Sequence, residues 1–286
     1  MMILIADSGS TKTTWRLLSK GESYHNDIET TGINPNYLTK DAIADILENE
    51  LHPLLPSNTE QIREVYFYGS GCSTIEKQKL IQESLQTIIP NADIIAEHDL
   101  LGAAISLCGN DMGVACILGT GSNACFYDGK SITKSTLSLG YLLGDEGGGA
   151  YIGKKILYHY LKNHFPKELK IAFETKYQKT PHELIHLMYR SANIVSFFAN
   201  FTYFASENIA HPYVQDVIKN CFRDYFIEQV LIYEEANHYP IGFVGSIAFT
   251  FQNELKTVAE EYQFCIGKII KNPIEGLGDF HQHELV

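Results

Sequence analysis

Residues 2–19 read MILIADSGSTKTTWRLLS. Met2 to Ala6 is an unbroken apolar run, Asp7-Ser8-Gly9-Ser10 is a turn of small polar residues, and Thr14 to Leu18 is a second apolar run that stops at Lys20-Gly21. Short apolar runs bounded by turn residues predict buried strands. The same figure returns at Val114 to Leu118, Gly119-Thr120-Gly121-Ser122-Asn123 and Ala124 to Tyr127, closing at Asp128-Gly129. A reversal of the chain needs only two residues, such as Asn-Gly. Longer turns of Gly, Ser and Thr let backbone N–H groups approach a ligand closely. Their recurrence predicts two similar half-folds gripping one anion.

Around these hairpins the pattern is that of an α/β protein. Asp41 to Leu51 predicts a helix with Ile43, Leu47 and Leu51 on one face. Val65 to Tyr68 predicts a strand closed by Gly69-Ser70-Gly71-Cys72, after which Ser73 and Glu76 form a capping box for a helix carrying Ile81, Leu85 and Ile88. Ala92 to Ala96 predicts a strand and His98 to Leu107 a helix ended by Gly109-Asn110. From Gly147 the chain is mostly helical. Thr180-Pro181-His182-Glu183 spells a capping box, Phe197, Phe201 and Phe204 fall at helical spacing as core, and Pro212 to Glu235 predicts a long helix. Ile241 to Val244 predicts a strand, Gly245-Ser246 a helix start, and Asn272-Pro273 the cap of a final helix. The expected division is 1–110 and 111–271, with the segment 272–286 packing back on the first half.

Composition narrows the partners. The chain has 286 residues, 45% of them hydrophobic and 20% charged, and a formal net charge of -12. That field repels phosphate backbones and anionic membranes, so neither nucleic acid nor membrane is expected. Met1 to Ala6 reads as a strand, not a signal peptide, because it lacks a basic start and a long apolar stretch. Cys72, Cys108, Cys116, Cys125, Cys221 and Cys265 form no C-x-x-C pair and predict reduced, mostly buried thiols, hence a cytoplasmic protein. The zinc signatures fail, and the terminal His281-x-His283 pair is expected to be solvated.

Three nucleotide-binding patterns can be weighed. Gly148 to Lys154 nearly spells a Walker A loop, but Lys155 stands where Ser or Thr must contact magnesium. Gly119 to Ala124 matches a loose dinucleotide fingerprint, yet it opens a strand where a helix is required. The third pattern is the pair of phosphate hairpins of the actin-like ATPase and sugar-kinase superfamily, and both hairpins are present.

The chain resembles the N-acetylglucosamine kinase-like branch of the BadF/BadG-type ATPase family over nearly its whole length. Asp7 to Thr13 is similar to the family's first phosphate loop, and Gly119 to Asn123 to its second. Gly32-Ile33-Asn34-Pro35-Asn36 is similar to the sugar-contacting turn, with Asn36 at the contact position. Gly69-Ser70-Gly71-Cys72 sits at the Gly-rich turn before a helix, and Glu97 to Ala103 resembles the segment carrying the catalytic Asp, here Asp99. Gly140-Tyr141-Leu142-Leu143-Gly144-Asp145-Glu146-Gly147 is the most specific match and implies Asp145 as a sugar ligand. Gly242 to Ala248 resembles the adenosine motif. Leu139 stands where the best-known kinases of this branch carry Trp.

The resemblance implies a two-lobed actin-like (ribonuclease H-like) α/β fold, a duplicated mixed sheet flanked by helices, and an ATP cleft between the lobes. It implies ATP contacts at Ser8, Gly9, Ser10, Thr11, Lys12, Thr13, Gly119, Thr120, Gly121, Ser122, Gly245 and Ser246. Sugar contacts are implied at Asn36, Asp145, Gly71 and Gly140, with Asn34, Asn123 and Glu146 in second rank. Asp7, ending the first strand, is placed to hold Mg2+ or, in the plainer reading, to cap its turn. Lys12 either touches a phosphate or is a surface lysine. Asp99, in a helix's first turn, is the expected general base for a sugar hydroxyl. The implied activity is phosphorylation of the 6-hydroxyl of N-acetylglucosamine or a related amino sugar, with ATP and that sugar as the partners and a homodimer left open. Two alternatives share the fold. One is an ATP-switch activator of a reductase or dehydratase, for which Cys72 and Cys108 are the only cysteines near the right region. The other is a silent sugar-binding regulator.

Overall fold

The computed structural model describes residues 1–9, 11–20 and 27–282. Ser10 and His283, both singled out above, lie outside the described residues. The chain divides into two compact units, one of Met1–Asp111, Gly129–Ile132 and Asn272–Val286, the other of Met112–Asp128 and Thr133–Lys271.

The first unit holds β1 (Met2–Ser8), β2 (Lys12–Ser19), β3 (Ile28–Thr31), β4 (Ile62–Gly69) and β5 (Asp93–His98) in the order β3-β2-β1-β4-β5. β1 and β2 form an antiparallel hairpin, β3 extends it antiparallel, and β4 and β5 run parallel to β1. Parallel neighbours cannot be joined by a tight turn, so helices cross between them. One is Ile75–Gln86, on the path from β4 to β5. Its cap is Thr74, whose Oγ1 accepts from the Lys77 amide; the expected cap at Ser73 is therefore displaced by one residue. The core is apolar, with Leu4, Ala6, Trp15, Val65, Phe67, Ile81 and Leu85 almost fully buried.

The second sheet repeats the plan. β6 (Gly113–Leu118), β7 (Ser122–Tyr127), β8 (Ile132–Ser135), β9 (Ile241–Val244) and β10 (Ile266–Ile270) lie in the order β10-β9-β6-β7-β8. β6 and β7 are an antiparallel hairpin, and β9 and β10 are parallel to β6. The long excursion between β8 and β9 is helical and packs an aromatic core, in which Phe165, Phe173, Phe201 and Phe204 are buried in mutual ring contact. The helix expected from Pro212 to Glu235 is α-helical over Pro212–Tyr225 and then widens to a π turn over Phe226–Val230. The fold is thus α/β, two mixed five-stranded sheets flanked by helices. Among the described residues no helix is long and apolar enough to cross a membrane.

The Pro273–Gln282 helix belongs to the first unit and corrects one expectation. His281 is not solvated: it is 1% exposed, stacks on Tyr66 at 3.9 Å and shares a 2.9 Å hydrogen bond with the Tyr68 hydroxyl. Arg16 donates to the Ile274 carbonyl at 3.1 Å. Gly276 lets this helix meet the Asp99–Cys108 helix, because a Cβ there would lie 2.2 Å from the Ser106 carbonyl oxygen. All six cysteines are free, four of them buried, with Cys108 half-buried and Cys265 exposed.

Gly276→Ala is expected to overpack this helix contact and to destabilise the first unit by about 1–3 kcal/mol. Denaturant unfolding of the full chain, followed by circular dichroism, reads it; an unshifted midpoint would show that the contact is not tight.

Candidate active site

The parallel register of the first sheet brings three strand ends level. Ser8 pairs with Gly69 and Gly69 with His98, so β1, β4 and β5 finish side by side. The Ser70 amide continues the ladder by donating to the Ser8 carbonyl at 2.8 Å. Asp7, Ser70 and Asp99 therefore emerge at one edge, the carboxyl ends of the parallel strands, where open α/β sheets bind ligands.

The hairpin between β1 and β2 is braced from inside. Ser8 Oγ and Thr13 Oγ1 lie 2.7 Å apart, and both accept from the Ile33 amide, at 3.1 and 3.2 Å. Ser8 Oγ also donates to the Ile33 carbonyl at 3.0 Å. Both residues are fully buried, so their hydroxyls fix the hairpin to the chain after β3. Gly9 closes the turn by donating to the Lys12 carbonyl at 3.0 Å, and Thr11 is exposed at its tip. Lys12 is paired with Glu29 at 2.6 Å on an exposed surface.

Asp99 opens the Asp99–Cys108 helix, and Ser70 Oγ donates to its Oδ2 at 2.8 Å. The register-given neighbour Ser70 is a site residue that sequence reasoning passes over. Its signal is the Gly-Ser-Gly turn itself, which has to end next to the strand before Asp99. Gly71, at φ +84°, abuts the asparagine turn: a Cβ there would lie 2.2 Å from Asn34 Oδ1 and 3.0 Å from Asn36 Nδ2. Asn34 is buried and its Oδ1 accepts from the Asn36 amide at 2.9 Å, which presents Asn36 to solvent. Two expected sugar-contacting residues, Asn36 and Gly71, are therefore brought together.

In the second unit the hairpin turn is set by Gly119, which donates to the Gly121 carbonyl at 3.0 Å. The Gly149–Leu161 helix starts against this turn, Gly149 and Ala150 donating to the carbonyls of Gly119 and Thr120 at 2.8 and 2.9 Å. Thr120 is exposed. Ser122 is 8% exposed, and its Oγ has no partner among the described residues. Water or a ligand oxygen can meet a buried hydroxyl so placed. Gly245, at φ +126°, reaches the same sheet edge; a Cβ would lie 2.3 Å from the Leu118 carbonyl oxygen. Ser246 follows, exposed, at the head of the Ser246–Thr250 helix. Gly140, at φ +65°, opens the short Gly140–Leu143 helix with nothing near its absent Cβ.

Asp145 is packed against the second hairpin. Its φ is +58°, and its Oδ1 accepts from the Ser122 amide at 3.4 Å. Its carboxylate lies over Gly121, where a Cβ would meet Oδ2 at 2.7 Å. Burial holds its carboxyl above the usual range, aided by Glu146 and opposed by the Ser122 amide and Lys154. Asp145 and the second hairpin are thus one local structure. Glu146 accepts from Gln229 at 3.3 Å and is held to the helical side of this unit.

Asp7 has the strongest electrostatic signature. Burial first, then the charge of Asp99, pushes its carboxyl up to about 7 against the opposing pull of Lys12. Neighbouring carboxylates away from water are relieved by a hard cation, and oxygen donors suit magnesium. Among the described residues no group of three or more His, Cys, Asp or Glu side chains is arranged to hold a metal ion. Magnesium takes one or two protein carboxylates and fills the rest of its shell with water and phosphate. Cys72, a candidate cluster ligand for an activator, is fully buried, and burial followed by Asp99 and Glu97 pushes its thiol up to about 12.

No protein-family model matches the chain. No curated protein matches it either. Solved structures do. A crystal structure of a protein from Porphyromonas gingivalis, provisionally named an N-acetylglucosamine kinase, is 38% identical, with 99% of this chain and 100% of that chain covered and a TM-score of 0.93. A Chromobacterium violaceum protein with the same provisional name is 15% identical over 98% of each chain, with a TM-score of 0.75. A ROK family glucokinase from Streptomyces griseus, in complex with glucose and AMPPNP, is 11% identical over 100% of this chain and 99% of that one, with a TM-score of 0.59. The last two speak to the fold alone, which is that of the actin-like ATPases.

The raised carboxyl of Asp7 has a consequence for stability. An Asp whose folded value is about 7, against an ordinary 3.8, favours the fold when protonated. That contribution is complete below about pH 4 and is lost as pH rises through about 7. In magnesium-free buffer Asp7→Asn should therefore be more stable than the parent at pH 8, by up to about 4 kcal/mol. The difference should shrink toward pH 4. Denaturant unfolding across that range tests it, and parallel pH profiles for the two proteins would refute it.

Proposed function

Because this chain belongs to the N-acetylglucosamine kinase-like branch of the actin-like ATPase superfamily, we propose that it transfers the γ-phosphoryl group of ATP to the 6-hydroxyl of N-acetylglucosamine or a closely related amino sugar. The coarser assignment, a sugar kinase, rests on the full-length identity of 38% to a protein so named. The choice of N-acetylglucosamine follows the name of that same relative, and the transfer to a hydroxyl rests on the site. The observation that carries it is Asp99, at the head of its helix, held by Ser70 at 2.8 Å and close enough to Asp7 to raise that carboxyl.

Phosphoryl transfer needs positioning and charge stabilisation more than covalent help from the protein. The turn amides of the two hairpins bind the phosphates, and the exposed Thr11 and Thr120 add hydroxyl donors. Gly245 and Ser246 receive the adenosine end. Asp7 would hold magnesium, which when bound would neutralise charge on the phosphates. Asn36 and Asp145 accept or donate hydrogen bonds to sugar hydroxyls, and Gly71 and Gly140 give backbone access there. Asp99 orients the 6-hydroxyl. As that oxygen bonds to the γ-phosphorus and the bond to the ADP oxygen breaks, the hydroxyl proton passes to the Asp99 carboxylate. Ser70 keeps the carboxylate aimed. A cytoplasmic setting supplies the ATP and suits six free thiols.

Asp99→Asn keeps the size and removes the basicity. Turnover should fall by about 10²–10⁴-fold, the usual worth of a general base. ADP release, read beside calorimetric binding of ATP and sugar, tests this. Near-normal turnover with binding intact removes Asp99 from the role.

Leu139 is 53% exposed where a Trp wall would stand in the best-known relatives. Discrimination among amino sugars differing at the 2-position should be modest, within the roughly 10–200-fold that one apolar contact supplies. A panel of hexosamines and their N-acetyl forms, compared by kcat/KM, measures it. Transfer to no hexose at all would defeat the functional proposal itself.

A further inference from the structure

The expectation that no zinc-type spacing is present fails at one place. The Pro181–Arg190 helix carries His182-Glu183-Leu184-Ile185-His186, a His-Glu-x-x-His spacing. On a helix, residues four apart stand on one face with Cβ atoms about 5–6 Å apart, so one ion can span two imidazoles so placed. The structure supports that geometry. His182 and His186 are both exposed, while Leu184 between them is buried and fixes which face looks outward. His182, Glu183 and His186, with Lys179 and Leu187, line one surface depression of about 400 Å³.

The first turn of this helix is held in place. Thr180 Oγ1 accepts from the Glu183 amide at 3.2 Å, and the Thr180 amide and hydroxyl donate to Glu183 Oε2 at 2.7 and 2.8 Å. This capping box decides between two readings of the motif. In zinc hydrolases the glutamate is the general base and a third protein ligand completes the centre. Here Glu183 is turned back on Thr180, whose amide and hydroxyl both donate to its Oε2. No third His, Cys, Asp or Glu among the described residues joins the two histidines in a metal-binding group. The hydrolase reading therefore falls, and a two-ligand site remains. The acidic Glu183 also stands beside the positive Lys179 and the helix's N-terminal dipole, both of which oppose a cation.

We propose that His182 and His186 form a surface site for a borderline divalent transition-metal ion, such as Cu2+, Ni2+ or Zn2+, with its remaining positions open to water. Imidazole nitrogens select these ions, whereas magnesium takes oxygen ligands. The site is therefore chemically separate from Asp7 and independent of the kinase proposal. A second histidine pair is the natural rival. The rings of His159 and His164 are 5.5 Å apart, and His159 Nδ1 lies 2.6 Å from the Tyr213 hydroxyl.

The test uses the untagged full chain in magnesium buffer, titrated calorimetrically with Zn2+, Ni2+ and Cu2+ separately. Binding of one ion per chain is expected, tightest for Cu2+. His182→Gln and His186→Gln should each weaken binding by at least the roughly 10–100-fold that loss of a mere supporting group costs. His159→Gln should leave it unchanged. Circular dichroism should show unaltered helix content in all variants, and retention of the parent on a nickel resin should vanish in the His182→Gln/His186→Gln double variant. Absence of binding below millimolar metal overturns the proposal. So does binding that survives the double variant or disappears with His159→Gln.

Discussion

The parallel register of β1, β4 and β5 is the constraint on which the first unit depends. With Ser8, Gly69 and His98 level, the residues that leave the three strands must share one edge. Asp7 and Asp99 are then neighbours by topology, although far apart in the chain. Burial at that edge makes their proximity costly, and the cost appears in the raised carboxyl of Asp7. The Ser8–Thr13–Ile33 hydroxyl network lies directly beneath and keeps the hairpin from relaxing away from the other strand ends. Fold and site are therefore set by the same few bonds. The second sheet repeats the device, with the Gly245 amide donating to the Ile270 carbonyl at 3.0 Å and its backbone pressed against Leu118.

Much of this was legible in the residues. The two hairpins, the strands β4, β5 and β9, and the helix beginning at Asp99 follow from apolar runs and turn residues. What escaped is physically coherent. β3 (IETT), β8 (ITKS) and β10 (IGKII) are edge strands, with one neighbour each and mixed polarity, so no apolar run marks them. The π turns at Leu47–Leu51 and Phe226–Val230 lie inside segments whose apolar spacing reads as plain α-helix. His281 looked like a chain-end histidine because its burial comes from Tyr66 and Tyr68, which are remote in sequence. Glu183 was legible as a capping residue, and that correct reading hid the histidine spacing in which it also sits.

The two hairpins look alike in sequence and differ in how their polar groups are satisfied. In the first, the Ser8 and Thr13 hydroxyls are bonded within the unit, leaving the backbone and the exposed Thr11 for a ligand. In the second, Ser122 Oγ is buried and unpartnered among the described residues, and Asp145 beside it adopts a left-handed backbone that L residues rarely take. Each departure is unfavourable alone: an unmet buried hydroxyl forfeits about 1–3 kcal/mol, and a strained φ costs of order 1–3 kcal/mol. Both lie beside Gly121, where any side chain would meet the Asp145 carboxylate. Proteins retain such local conflicts chiefly at functional sites. The glycine at 121 is thus required less to turn the chain than to leave room for that carboxylate. Asp145 thus ties its own segment to the second hairpin, through the Ser122 amide and the space left at Gly121.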